Sequence, residues 1–208
     1  MRDKSNNLNY KQFAVGLYCK GFELIDPEKD DFSIISGCLL LVIGLEKLIK
    51  EVLMNYNPLM ILEKVSFEDV LDIHLDKNTL NKRSVSLEIA FERLTKLFPE
   101  LEFEKHVVKT LVKHRNFLAH SAGIFNLETV EGNVRVNVTA ITEVICEKCL
   151  KDDPYELFGR DVWKEMLRYK EAYEEAEILE LNKRISFLKK NLLRGEKIAL
   201  CTCYFKQI

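Results

Sequence analysis

Apolar residues recur at intervals of three and four along most of the chain. This spacing places apolar side chains on one face of a helix, so it predicts amphipathic α-helices. Breakers such as Asp-Pro and Phe-Pro pairs mark where several of these helices end. The predicted helices cover residues 8–25, 33–57, 84–97, 101–121 and 141–150.

Residues 124–140 follow a different pattern. Val134, Val136 and Val138 alternate with polar residues, and Glu131-Gly132-Asn133 before them is typical of a turn. A period of two is typical of a half-buried strand. The pattern therefore predicts a small β-hairpin insertion in an otherwise helical protein.

A long helical arm is predicted after Asp152-Asp153-Pro154, which is the best candidate for a domain boundary. From Val162 to Leu192 apolar residues step by three and four with one phase shift, as they do in coiled coils. We therefore expect two domains. These are a helical domain at 1–152 and a C-terminal helical arm with a cysteine-containing tail at 153–208.

Composition supports an all-α fold class. Glycine and proline contribute only 8 and 4 of the 208 residues, which disfavours turn-rich sandwiches and barrels. The 31 Lys and Arg residues against 33 Asp and Glu give a net charge of −2. That balance excludes a protein that is basic over its whole surface, so any nucleic-acid site must be local.

The longest run of low charge, Phe32–Leu45, has 14 residues. A bilayer needs about 20 apolar residues, so we interpret this run as a buried core helix. The first residues lack the pattern of a secretory signal. We therefore expect a cytoplasmic protein that makes no membrane contact.

Six cysteines without a secretory signal favour burial or metal binding over disulfides. A zinc site is a weak alternative, because its second cysteine pair has a tight C-x-C spacing and lies far from the first. The sequence contains no glycine-rich phosphate loop, so no cofactor is expected. The four candidate zinc ligands are Cys146, Cys149, Cys201 and Cys203.

The helix predicted at 101–121 carries the candidate chemistry. Arg115 lies in the middle of its apolar face. Five other polar residues fall within about 80° of one another on the same helical wheel. A basic stripe of this kind suits a phosphate backbone. Its members are Lys105, Lys109, Lys113, Asn116 and His120.

These residue types suit the cleavage of RNA without a metal. A histidine such as His120 can take the proton of a 2′-hydroxyl or give one to the 5′-oxygen. The planar fork of Arg115 can stabilise the charge of the phosphorane, and Asn116 can hold a phosphate oxygen or orient the imidazole. One chain offers one such histidine, so two copies facing each other in a homodimer would complete the site.

The segment from Arg115 to His120 resembles the R-N-x3-H form of the R-x4-6-H motif of the HEPN family. This resemblance covers about residues 8–150 and is strongest over the motif and the helix before it. It implies a helical bundle with Arg115, Asn116 and His120 as catalytic residues. It also implies a dimeric, metal-independent endoribonuclease (a hydrolase), a toxin or host-defence role, and an antitoxin or regulatory protein as a further partner.

Two questions stay open at this level. Glu46 lies inside the apolar line of the second helix, where it is either the counter-ion that positions Arg115 or the partner of Lys50 one turn later. The main alternative function is a non-catalytic HEPN-like module that binds RNA or protein and dimerises through the arm. A purely structural adaptor would be favoured if the lysine stripe were buried.

Overall fold

The computed structural model describes residues 10–26, 28–74, 84–120 and 126–193, most of which are helical. The all-α class predicted from the composition is confirmed for these residues. The α-helices are α1 (Tyr10–Leu24), α2 (Asp31–Tyr56), α3 (Phe67–His74), α4 (Leu87–Leu97), α5 (Lys105–His120), α6 (Leu127–Val144), α7 (Pro154–Phe158) and α8 (Arg160–Leu193).

Short irregular helices connect these elements. Pro58–Ile61 and Pro99–Glu104 form 3-10 helices, and Ile145–Leu150 continues α6 as a π-helix. An isolated antiparallel bridge joins Leu62 to Ser84, so a residue three positions before α4 lies against the end of the first 3-10 helix. This bridge brings Ser84 close to the functional site described below.

Helix α2 lies at the centre of the bundle and packs against α1, α4, α5 and α6. Its first turn is capped by the Asp30 carboxylate, which accepts a hydrogen bond from the Ser33 backbone N–H at 3.0 Å. Leu41, Leu45 and Leu48 are fully buried, so the predicted core helix is confirmed. Among the described helices, α2 is the one long and apolar enough to cross a bilayer, and its position in the core accounts for this composition.

Glycines allow α1 and α2 to approach closely. A Cβ atom added to Gly37 would lie 2.5 Å from Cγ1 of Ile25 and 2.7 Å from the Gly21 carbonyl oxygen. One added to Gly44 would lie 2.8 Å from the Tyr18 ring. These distances are shorter than van der Waals contact, so a side chain at either position would push the two helices apart.

Gly37→Ala is therefore expected to lower the free energy of unfolding by about 1–3 kcal/mol, because the neighbouring backbone carbonyl cannot move aside. Gly16→Ala is the matched control on α1, since a Cβ there meets nothing within 4 Å. The control should raise stability by up to about 1 kcal/mol through helix propensity. Urea denaturation of both variants measures the difference, and equal stabilities would contradict this account of the helix contact.

The predicted β-hairpin is wrong for the residues that the structure describes. Residues 127–144 form helix α6, whose start is capped by the Asn126 side chain. Val130, Val134 and Val138 recur every four residues and are buried. Val134 and Val138 thus belong to a buried helical stripe, whereas Val136 between them is only half-buried, and Gly132 lies inside the helix instead of in a turn.

The first compact unit of the chain ends at Lys170, 18 residues beyond the predicted boundary at Asp152. Phe158, Trp163 and Met166 are buried in its core, and the Phe158 ring stacks on Trp163 with centroids 5.8 Å apart. Burial of these apolar residues holds α7 and the start of α8 against the bundle. The second unit begins at Glu171 and contains the rest of α8.

Candidate functional site

Helix α5 presents the candidate catalytic residues to solvent. Val108 and Leu111 are buried against the bundle, as the helical wheel predicts. Asn116 and His120 lie one turn apart and are both exposed. Ala119, which the wheel places on the apolar face, is also exposed, whereas Leu118 beside it packs against the core.

Arg115 lies at the edge of the buried face and contacts two side chains. Its Nη1 donates to Oε2 of Glu46 on α2 at 3.4 Å. Its Nε and Nη2 lie 3.4 and 3.2 Å from Oδ1 of Asn116, which accepts from both. Arg115 keeps 29% of its side chain exposed, so the guanidinium is held in place and still open to a ligand.

Glu46 also binds Lys50, so both interpretations of this carboxylate are correct. Lys50 Nζ donates to Oε1 of Glu46 at 2.5 Å and to Oγ of Ser84 at 2.9 Å. The Lys50 side chain is 1% exposed and that of Glu46 15% exposed. The two carboxylate oxygens thus join a buried ammonium on one side to the Arg115 guanidinium on the other.

Positive charge exceeds negative charge around this carboxylate. Lys47, on the same helix, lies with Nζ 5.1 Å from the centre of the Tyr10 ring. Burial, and then the neighbouring Lys50, lower the pKa of Lys47. Burial, and then the negative charge of Glu46, raise the pKa of Tyr10. Glu46 binds both Lys50 and Arg115, and its charge also acts on Lys47 of the same helix, so among these side chains the carboxylate has three positive neighbours.

The lysine stripe is only partly available for binding. Lys109 and Lys113 are exposed on α5. Lys105 forms an ion pair of 2.7 Å with Glu102, which offsets its charge. The exposed basic surface next to Asn116 and His120 therefore consists of Lys109 and Lys113, and its exposure removes the condition that favoured a purely structural adaptor.

Cys146 and Cys149 lie in the π-helix that ends α6, whereas Cys201 and Cys203 fall outside the described residues. Burial raises the pKa of the Cys146 and Cys149 thiols to about 12. Burial around these two side chains therefore favours the neutral thiol. Within the described part of the chain, no group of three or more His, Cys, Asp or Glu side chains is placed to hold a metal ion.

Sequence reasoning missed two neighbours of this site. The sequence does not indicate that Lys47 lies at the site, because its contact with the Tyr10 ring depends on how α1 packs against α2. Ser84 is brought to Lys50 by the bridge between Leu62 and Ser84, which no local pattern indicates. The four-residue spacing of Glu46 and Lys50 was the sequence feature that indicated their ion pair, and the structure contains this ion pair.

Comparison with protein-family models, with curated proteins and with solved structures found no match for this chain.

Proposed function

We propose that this protein is a metal-independent endoribonuclease in which Arg115, Asn116 and His120 act on one phosphate of the RNA. One observation carries the proposal. An exposed imidazole and an exposed amide lie one helical turn apart, beside a guanidinium that a mostly buried carboxylate holds in place. Glu46 is a positioning residue for Arg115, and Lys109 and Lys113 bind the RNA backbone.

In the proposed reaction the 2′-hydroxyl loses its proton to one His120 imidazole and its oxygen attacks the adjacent phosphorus. The bond from phosphorus to the 5′-oxygen breaks, and the leaving oxygen takes a proton from the imidazole of a second copy of the chain. Arg115 stabilises the charge on the phosphorane oxygens. The products are a 2′,3′-cyclic phosphate and a free 5′-hydroxyl, and a homodimer supplies the two imidazoles.

The resemblance to the HEPN family at Arg115–His120 supports the same activity. Through that resemblance we extend the proposal to a toxin or host-defence role in the cytoplasm, with an antitoxin or regulatory protein as a further partner. The helical bundle is compatible with such a protein, since α5 presents the motif at its exposed end.

The test is an RNA cleavage assay with purified full-length chain, with and without EDTA. We expect equal single-turnover rates in both conditions, because an imidazole, an amide and a guanidinium perform the chemistry. Loss of cleavage in EDTA would contradict the metal-independent mechanism. RNA binding without any cleavage would favour the non-catalytic HEPN-like binding module instead.

Lys109→Ala is expected to weaken RNA binding and to reduce the slope of log K against log salt by about one counterion. The rate of the chemical step at saturating protein should not change, because a phosphate contact contributes position and not proton transfer. Lys96→Ala is the control, since Lys96 is exposed on α4 and does not belong to the motif helix. Binding titrations at several salt concentrations give both slopes, and the same loss in both variants would refute a specific role for Lys109.

A further inference from the structure

The second compact unit has an exposed apolar stripe. In α8, Ile178 is 58% exposed, Leu181 54% and Ile185 38%. With Leu188 these residues step by three, four and three, so they lie on one side of the helix. Large aliphatic side chains repeated along one face of a single helix are typical of a surface that packs against another helix.

The charges along the same helix are divided into two blocks. Residues 171–180 contain five glutamates and no basic residue, whereas 181–193 contain four lysines and arginines and no acidic residue. If two such helices paired in parallel and in register, glutamates would face glutamates and lysines would face lysines. Like charges opposite each other are unfavourable, so electrostatics opposes the parallel arrangement.

We propose that 171–193 is a homotypic interface that pairs antiparallel with the same segment of a second copy. In this arrangement the acidic block of each copy faces the basic block of the other. Antiparallel packing of the apolar stripe places Ile178 across from Leu188 and Leu181 across from Ile185. The same alignment brings Glu175 close to Lys189 of the other copy. The proposed interface uses no residue of α5, so it does not rest on the catalytic roles proposed for that helix.

Zero-length coupling of carboxylates to amines tests the orientation directly in the full-length protein. Glu175 and Lys189 are 14 residues apart, which is about 21 Å along one helix, so a zero-length bond between them requires two chains. We expect the Glu175–Lys189 link at protein concentrations where the chain associates. Its absence there, or a short amine-to-amine reagent joining Lys189 to Lys189, would overturn the antiparallel arrangement.

Charge reversal provides a second, matched test. The triple variant E174K/E175K/E177K is expected to weaken self-association about tenfold or more, because both blocks then carry positive charge. Adding K183E/K189E/K190E to the same chain leaves net charges of +1 at 171–180 and −2 at 181–193, which attract each other again, so part of the lost association should return. Sedimentation equilibrium measures the association constants of the triple and the sextuple variant. A triple variant that associates like wild type, or a sextuple variant that stays as weak as the triple, would refute the proposal.

Discussion

Replacing His120 with alanine is expected to slow single-turnover RNA cleavage by about 10²–10⁴-fold, because it removes a group that transfers a proton in the reaction. The side chain is exposed at the end of α5, so the fold should not change. RNA affinity should also stay near that of the wild type, since Lys109 and Lys113 remain. Circular dichroism and RNA titration confirm that folding and binding are retained before rates are compared.

His106→Ala is the matched control for this variant. His106 is exposed on the same helix, and its Nδ1 lies 2.7 Å from the Phe103 carbonyl oxygen, away from the motif. We expect its cleavage rate to stay within about twofold to threefold of wild type, since it has no part in the proton transfers. Equal rates for wild type and His120→Ala would remove the catalytic assignment and favour the binding module.

Glu46→Ala is expected to lower the free energy of unfolding by about 3–5 kcal/mol. Its carboxylate is the counter-ion of Lys50, which is 1% exposed, and its loss leaves a buried cation without a charged partner. The double variant Glu46→Ala/Lys50→Met should recover much of this loss, because it also removes the buried charge.

Glu23→Ala on α1 is the control for this measurement. Glu23 forms an ion pair of 2.9 Å with Lys20, but both side chains are more than half exposed. Its loss should leave the free energy of unfolding close to that of the wild type, because solvent screens this pair. Urea denaturation of the four proteins gives the comparison, and similar costs for Glu46→Ala and Glu23→Ala would show that Glu46 is not part of a buried network.

The long periodic segments of the fold could be predicted from the sequence. Helix α2 was predicted at 33–57 and lies at Asp31–Tyr56, because its apolar line is long and its ends carry Asp30 and Pro58. Residues 127–144 were misassigned, since alternating valines at 134, 136 and 138 are typical of a strand, although only Val134 and Val138 lie on the buried face of the helix. The capping residue Asn126 and the four-residue spacing of the buried valines both favour a helix over a strand.

The candidate site was only partly predictable. The i, i+4 spacing of Glu46 and Lys50 indicated one contact, and the position of Arg115 on the wheel indicated the other. The sequence could not show that the single carboxylate of Glu46 contacts both Lys50 and Arg115, because the contact with Arg115 depends on the packing of α2 against α5. The boundary after Asp152 marks a real turn before α7, but Trp163 and Met166 return the chain to the core.

We propose that His120 takes part in a metal-independent transesterification of RNA. The chemistry of the RNA ends produced by purified protein in EDTA tests this assignment. We expect fragments with 2′,3′-cyclic phosphate and 5′-hydroxyl ends to form with wild type and with His106→Ala, and not with His120→Ala. Fragments with 3′-hydroxyl and 5′-phosphate ends, or the same fragments from His120→Ala, would contradict it.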